Sequence, residues 1–109
     1  MLEDAKTILC RRLKSTRKLR KMTLEALGVA IGLDESCAST RISRYENGIH
    51  AIEPNTAERL AQVLNVPLSY FYAPDDELAE LNQIFYELNP EDQEKLLLFA
   101  RTLKQTHPQ

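Results

Sequence analysis

An all-helical fold is what this 109-residue sequence predicts, on three observations. Leu, Ala, Glu, Lys and Arg dominate while glycine occurs only three times, a composition of strong helix formers. Apolar residues recur at spacings of three and four, and no segment alternates as a strand would. Capping residues punctuate these periodic segments. The length fits one domain, or one domain with an appendage. The apolar fraction, 43%, is ordinary for a globular chain. No apolar run approaches the roughly 20 residues that cross a bilayer.

The first helix is expected over residues 3–20, with Ile8, Leu9, Leu13 and Thr16 on its inner face. Thr23 is a good cap for a second helix whose apolar positions are Leu24, Leu27, Ala30 and Ile31, and Gly32 closes it. Asp34 or Ser36 then caps a third helix reaching about Glu46. Ala38, Ile42 and Tyr45 give it an inward face. Ser39, Thr40 and Arg44 are left on the outer face, with Ser36 and Arg41 at its flanks. Asn47-Gly48 stops it, because both residues tolerate the left-handed conformation of a helix end.

Residues 49–54 read as a loop. Pro54 or Asn55 opens a fourth helix with Ala57, Leu60, Ala61 and Leu64 inside, and Asn65-Val66-Pro67 breaks it. A short fifth helix covers 68–72, with Leu68 and Phe71 closing the core. Ala73-Pro74-Asp75-Asp76 looks like a boundary. A sixth helix, 77–88, places Leu78, Leu81, Phe85 and Leu88 on one stripe. Asn89-Pro90-Glu91-Asp92 is a strong start for a seventh: a capping Asn, proline at the first position, and acids on the positive dipole end. Leu96, Phe99, Ala100 and Leu103 form its stripe, and residues 107–109 are expected to fray.

Two short helices joined through Gly32, the second bearing hydroxyls and guanidinium groups, form a helix-turn-helix pattern suited to the major groove of DNA. Charge agrees. Residues 1–48 hold ten Lys/Arg against six Asp/Glu, whereas residues 49–109 hold four against ten, so one end suits a polyanion. Alone, the basic run Arg11 to Lys21 would read better as the solvated side of a helix. Cys10 and Cys37 make neither a zinc pattern nor a disulfide framework, and with no signal-peptide pattern at the N-terminus a cytoplasmic chain with reduced thiols is expected. His50 and His107 are isolated, so no metal and no cofactor is expected. Nothing assembles a nucleophile, a base and an oxyanion hole, which argues against an enzyme.

Residues 8–72 resemble the lambda-repressor/Cro-like (XRE) helix-turn-helix family. The resemblance rests on Leu13, Arg17, Met22-Thr23, Glu25, Leu27, Gly32, the run Ile42 to Gly48, Pro54, Leu60-Ala61 and Leu64-Asn65-Val66. It implies a lambda-repressor-like five-helix domain, here residues 1–73, that binds double-stranded DNA as a symmetric dimer. It assigns base contacts to Ser39, Thr40 and Arg44. Arg44 is the strongest, since a guanidinium can bond guanine O6 and N7 together. It assigns phosphate contacts to Asn47 and Gly48. Arg41, Lys18 and Lys21 add positive charge for the same purpose. Arg17 and Glu46 match positions that form a structural ion pair. Two departures stand out. Leu24 occupies the position where the family usually has a phosphate-anchoring Gln. Gly32 to Gly48 spans sixteen residues, about four more than is common, so residues 34–38 extend either the turn or the recognition helix. Ala38 continues the Ile42/Tyr45 face, and this favours the helix.

Residues 74–109 form a two-helix extension. Leu78, Leu81, Phe85, Leu88, Leu96, Phe99 and Leu103 could cap the bundle, but two apolar stripes beside an already complete five-helix bundle favour dimerisation. A dimer places its recognition helices roughly 34 Å apart on a palindromic operator. The expected function is a sequence-specific transcriptional regulator, a repressor of bacterial or prophage origin. An antitoxin-like or adaptor protein-binding module, or a restriction–modification controller, are the alternatives. No membrane and no small-molecule ligand is expected.

Overall fold

The structure is a computed structural model that describes residues 3–106. Met1, Leu2 and the tail His107–Gln109, whose fraying the sequence suggests, lie outside the described residues. Seven helices follow in order: α1 Ala5–Leu19, α2 Leu24–Ala30, α3 Glu35–Glu46, α4 Pro54–Leu64, α5 Leu68–Tyr72, α6 Asp76–Glu87 and α7 Pro90–Thr106. Five starts carry a side-chain cap, and α4 opens on Pro54 instead. Asp4 accepts from the Thr7 amide at 2.8 Å, so α1 begins after Glu3. Thr23 Oγ1 accepts from the Ala26 amide at 3.0 Å, Asp75 from that of Leu78 at 2.7 Å, and Asn89 from that of Asp92 at 2.8 Å. Asp34, rather than Ser36, caps α3. The residues following Gly32 therefore lengthen the recognition helix and not the turn.

Helix ends repeat one device. In α1 to α4 the last turn closes with paired bonds, from Lys21 to Lys18 O and Met22 to Arg17 O in α1, and from Gly32 to Val29 O and Leu33 to Gly28 O in α2. In α3, Gly48 bonds to Tyr45 O and Ile49 to Arg44 O. In α4, Asn65 bonds to Gln62 O and Val66 to Ala61 O. The left-handed residue these closures need is Lys21, Gly32, Gly48 and Asn65 in turn. Of Asn47 and Gly48, which both tolerate the left-handed conformation, Gly48 takes it and Asn47 keeps φ −95°.

Leu9, Leu13, Leu27, Ile31, Ile42, Tyr45, Leu60, Ala61, Leu64, Val66 and Phe71 form one core, with Leu68 and Tyr70 packed against it. Ala30, expected inside, is exposed, because Ile31 at the end of α2 takes the buried place. The α2–α3 contact is close. A Cβ built on Gly28 would sit 2.6 Å from Ala38 Cβ, 2.8 Å from Ala38 O and 2.9 Å from Ala38 Cα. Gly28 therefore lets the backbones of α2 and α3 meet where any side chain would separate them.

Residues 73–76 are no free linker. Ala73 and Ala79 are buried, and Arg12, 2% exposed in the middle of α1, reaches across to this connection. Its guanidinium donates to Tyr70 O, to Ala73 O and to the Asp76 carboxylate, and lies over the Tyr70 ring. Farther along α6, Gln83 donates to Asn65 O at 3.3 Å and Tyr86 to Asn65 Oδ1 at 3.4 Å. Beyond α6 the fold opens. α7 has no buried residue, although Gln93 reaches back to Phe85 O at 2.8 Å.

Candidate nucleic-acid interface

The α2–turn–α3 unit presents one face of α3 to solvent. Ala38 and Ile42 are fully buried and Tyr45 nearly so, which fixes the rotation of the helix about its own axis. The rotation is locked at the C-terminal end by Arg17. Its Nε donates to Glu46 Oε2 at 2.6 Å, its Nη2 to Oε1 at 3.1 Å and its Nη1 to Met22 O at 3.0 Å. Both side chains are nearly buried, and the bidentate bond to Glu46 raises the Arg17 pKa further above its already high value. α1 and α3 are thus joined by a desolvated ion pair.

On the opposite face Ser39, Thr40 and Arg44 are exposed, and Arg41 is half-buried beside them. None of these four side chains hydrogen-bonds or pairs with another side chain among the described residues. Two neighbours are already engaged. Ser36 Oγ donates to Asp34 Oδ1 at 2.6 Å, and that bond, with the Ser36 amide, holds the Asp34 carboxyl below its ordinary pKa. Asn47 Nδ2 donates to Ser43 O at 2.9 Å, and the amides of Asn47 and Gly48 close the helix end. In this structure the donors that the resemblance assigns to phosphate at these two positions are therefore occupied within α3.

The cations from Arg11 to Lys21 divide in two. Arg11 bonds Glu3 and Asp76, Arg12 and Arg17 are buried and paired, and Arg20 donates to Leu64 O at 2.8 Å at the end of α4. The basic run read from the sequence is thus largely structural at its arginines. Lys14, Lys18 and Lys21 are exposed and have no carboxylate partner among the described residues. Lys21 holds φ 58° at the α1–α2 turn, a conformation that glycine adopts with less strain. Gly28 and Arg12 are functional positions that the sequence-based expectations do not include. A glycine inside an amphipathic helix and an arginine sharing the phase of Leu9 and Leu13 are the signals that mark them.

The proposed dimerisation residues are accessible. Leu78, Leu81, Phe85, Phe99 and Leu103 are exposed, and Leu88 and Leu96 are half-buried. Leu81, Phe85, Leu96, Leu97 and Ala100 line an open apolar groove of about 220 Å³ between α6 and α7. No helix among the described residues is long and apolar enough to cross a membrane.

Comparison with known proteins agrees with this architecture. Residues 13–71 match the helix-turn-helix family model, which spans α2, α3 and most of the core. Uncharacterized HTH-type transcriptional regulators of Sinorhizobium medicae (strain WSM419) and Rhizobium meliloti (strain 1021) are each 31% identical over 67 residues. The match covers 60% of this chain and 45% of each relative, so the aligned part is less than half the length of these relatives. The crystal structure of the transcriptional regulator BswR superposes with a TM-score of 0.83 at 39% identity, over 89% of this chain and 96% of that one, and therefore includes the C-terminal extension. With the buried face of α3 locked, its opposite face open and the family model matched over more than half of its length, the chain belongs to the XRE-type helix-turn-helix family.

Proposed function

We propose that the protein is a transcriptional regulator that binds double-stranded DNA sequence-specifically, acting as a homodimeric repressor on a palindromic operator. One observation carries this reading. The outer face of α3 is polar, rigidly oriented by its buried side, and keeps Ser39, Thr40 and Arg44 without side-chain partners among the described residues. In the major groove Arg44 reads a base edge and the two hydroxyls serve bases or phosphates. Arg41, Lys18 and Lys21 contact phosphates, and so do Asn47 and Gly48 once the α3 cap opens to them. These contacts give salt-dependent affinity. The division into a DNA-binding segment, 1–73, and a dimerisation segment, 74–109, is functional rather than physical, since α6 is docked on the bundle.

The homodimer is supported by α7. In proteins most helical stability comes from packing of an apolar face, and α7 fully buries no residue against its own protomer, half-burying only Leu96 of its apolar stripe. A second copy offers the matching apolar stripe. Selection of duplexes from a random pool tests the whole proposal. Arg44→Ala relaxes preference at one base position, whereas Lys18→Ala weakens selected and random duplexes alike. Equal losses for Arg44→Ala on both, or no complex at low ionic strength, count against it. Sedimentation that finds only monomer at high micromolar concentration rejects the dimer.

A further inference from the structure

We propose that Arg12 is a positioning residue: with Asp76 it fixes the angle between the DNA-reading bundle and the α6–α7 extension, and so selects operator half-site spacing. The inference rests on the homodimer reading above.

The chain from α5 to α6 is only three residues, but three residues alone leave the direction of α6 open. Two kinds of contact set it. One is burial of Ala79, a single methyl group. The other is polar. Arg12 Nη1 donates to Tyr70 O at 2.9 Å and to Ala73 O, while Nη2 donates to Asp76 Oδ1 at 3.1 Å. The same guanidinium thus grips the last turn of α5, the turn after it and the first turn of α6. The planar fork makes this a directional constraint, because rotating α6 breaks one bond before another can form. Asp76 also accepts from Arg11 Nη1 at 3.3 Å, so both arginines pull on one carboxylate.

α1 refers this grip to the DNA-reading surface. Arg12 and Arg17 lie five residues apart on α1, a rise of about 7.5 Å. Arg17 holds the C-terminal end of α3 through Glu46. One rigid helix therefore sets the attitude of both α3 and α6. Arg12 lies on the side of α1 away from solvent and takes no part in the exposed α3 face. Its buried charge is satisfied by the two carbonyls and the Asp76 carboxylate alone.

In a dimer joined through α6 and α7, this angle is applied twice and fixes the separation and phase of the two α3 helices. Adding two base pairs between half-sites turns one against the other by roughly 70°. A rigid dimer cannot follow, and the second half-site contact is lost.

The test uses the full chain, as wild type, Asp76→Ala and Arg12→Gln. The probes are a half-site duplex taken from the random-pool selection and palindromes of that half-site at the best spacing and with two base pairs added. Sedimentation is run on each protein. The wild type is expected to be dimeric and to prefer the best spacing by about tenfold or more. Asp76→Ala removes the shared carboxylate from an exposed position while leaving Arg12 its carbonyl bonds. It is expected to stay dimeric and to keep its half-site affinity, while the spacing preference falls to about threefold or less. Arg12→Gln is expected to do the same. If it melts instead, Asp76→Ala decides alone. A spacing preference that survives in Asp76→Ala, or one absent from a dimeric wild type, overturns the clamp and leaves the dimer standing. A monomeric wild type overturns both, and sedimentation tells the two failures apart.

Discussion

Replacing Gly28 by alanine separates two effects of opposite sign. In an exposed helix interior the change stabilises by about 1 kcal/mol, because alanine loses less backbone freedom on folding. Here the new methyl group would lie 2.6 Å from Ala38 Cβ, 2.8 Å from Ala38 O and 2.9 Å from Ala38 Cα. Carbon atoms at rest stay about 3.5–4.0 Å apart, so α2 and α3 must part by about 1 Å. Two of the three obstructing atoms are backbone and cannot rotate away. Overpacking of this kind costs about 3 kcal/mol, the upper end of its usual range. The net loss is about 2 kcal/mol, which lowers the melting temperature of a domain this size by about 10 °C. The displaced α3 also weakens DNA binding. Calorimetry on wild type, Gly28→Ala and Gly28→Ala/Ala38→Gly checks the cause. Removing the Ala38 methyl relieves one clash and leaves the carbonyl and Cα, so the double variant recovers only part of the loss. A Gly28→Ala protein that melts at or above the wild-type temperature refutes the close-approach reasoning.

Arg17→Ala strands the Glu46 carboxylate in a nearly buried site and is expected to destabilise by about 3 kcal/mol, read from denaturant unfolding. Lys21→Gly relieves the left-handed strain at φ 58° and is expected to stabilise the fold by about 1 kcal/mol while weakening DNA binding, so melting and duplex titration move in opposite senses. The docking of α6 depends on acid. The bond from Arg12, and the charges of Arg11 and Arg12, hold the Asp76 carboxyl below its usual pKa. The stabilisation it gives is therefore complete above the unfolded value of about 3.9 and is lost as pH falls below it through the depressed folded value. Amide exchange at Leu78 and Ala79 is expected to be flat from pH 7 to about 5, after correction for intrinsic rates, and to accelerate only in the acid range.

The parts of this molecule legible in its sequence are those governed by local chemistry. Caps at Thr23 and Asn89, a cap at Asp34 or Ser36, and the spacing of Ala38, Ile42 and Tyr45 mark the helices and the exposed face of α3 from local chemistry alone. The Arg17–Glu46 pair, 29 residues apart in the chain, was accessible only through the family resemblance. The phase of Arg12 marks it as inward-facing, but nothing in the sequence names what it holds. Its three acceptors lie about 60 residues away, two of them backbone carbonyls that leave no mark on composition. Charge counting placed it with the solvated lysines, since counting cannot distinguish a guanidinium facing water from one folded over a distant helix end. Lys21 misleads in a related way, because a left-handed residue is sought at Gly or Asn.

A helix that fully buries none of its own side chains leaves most of its apolar stripe to be covered by something else. If a second copy supplies that cover, as proposed above, the helicity of α7 becomes a function of how much protein is present. In dilute solution the last seventeen described residues should lose circular-dichroism signal while α1 to α5 keep theirs, and concentrating the sample should restore it. The coupling would turn abundance itself into a control variable. A cell holding few copies would contain bundles able to touch DNA singly, and above a threshold the same molecules would grip two sites at once.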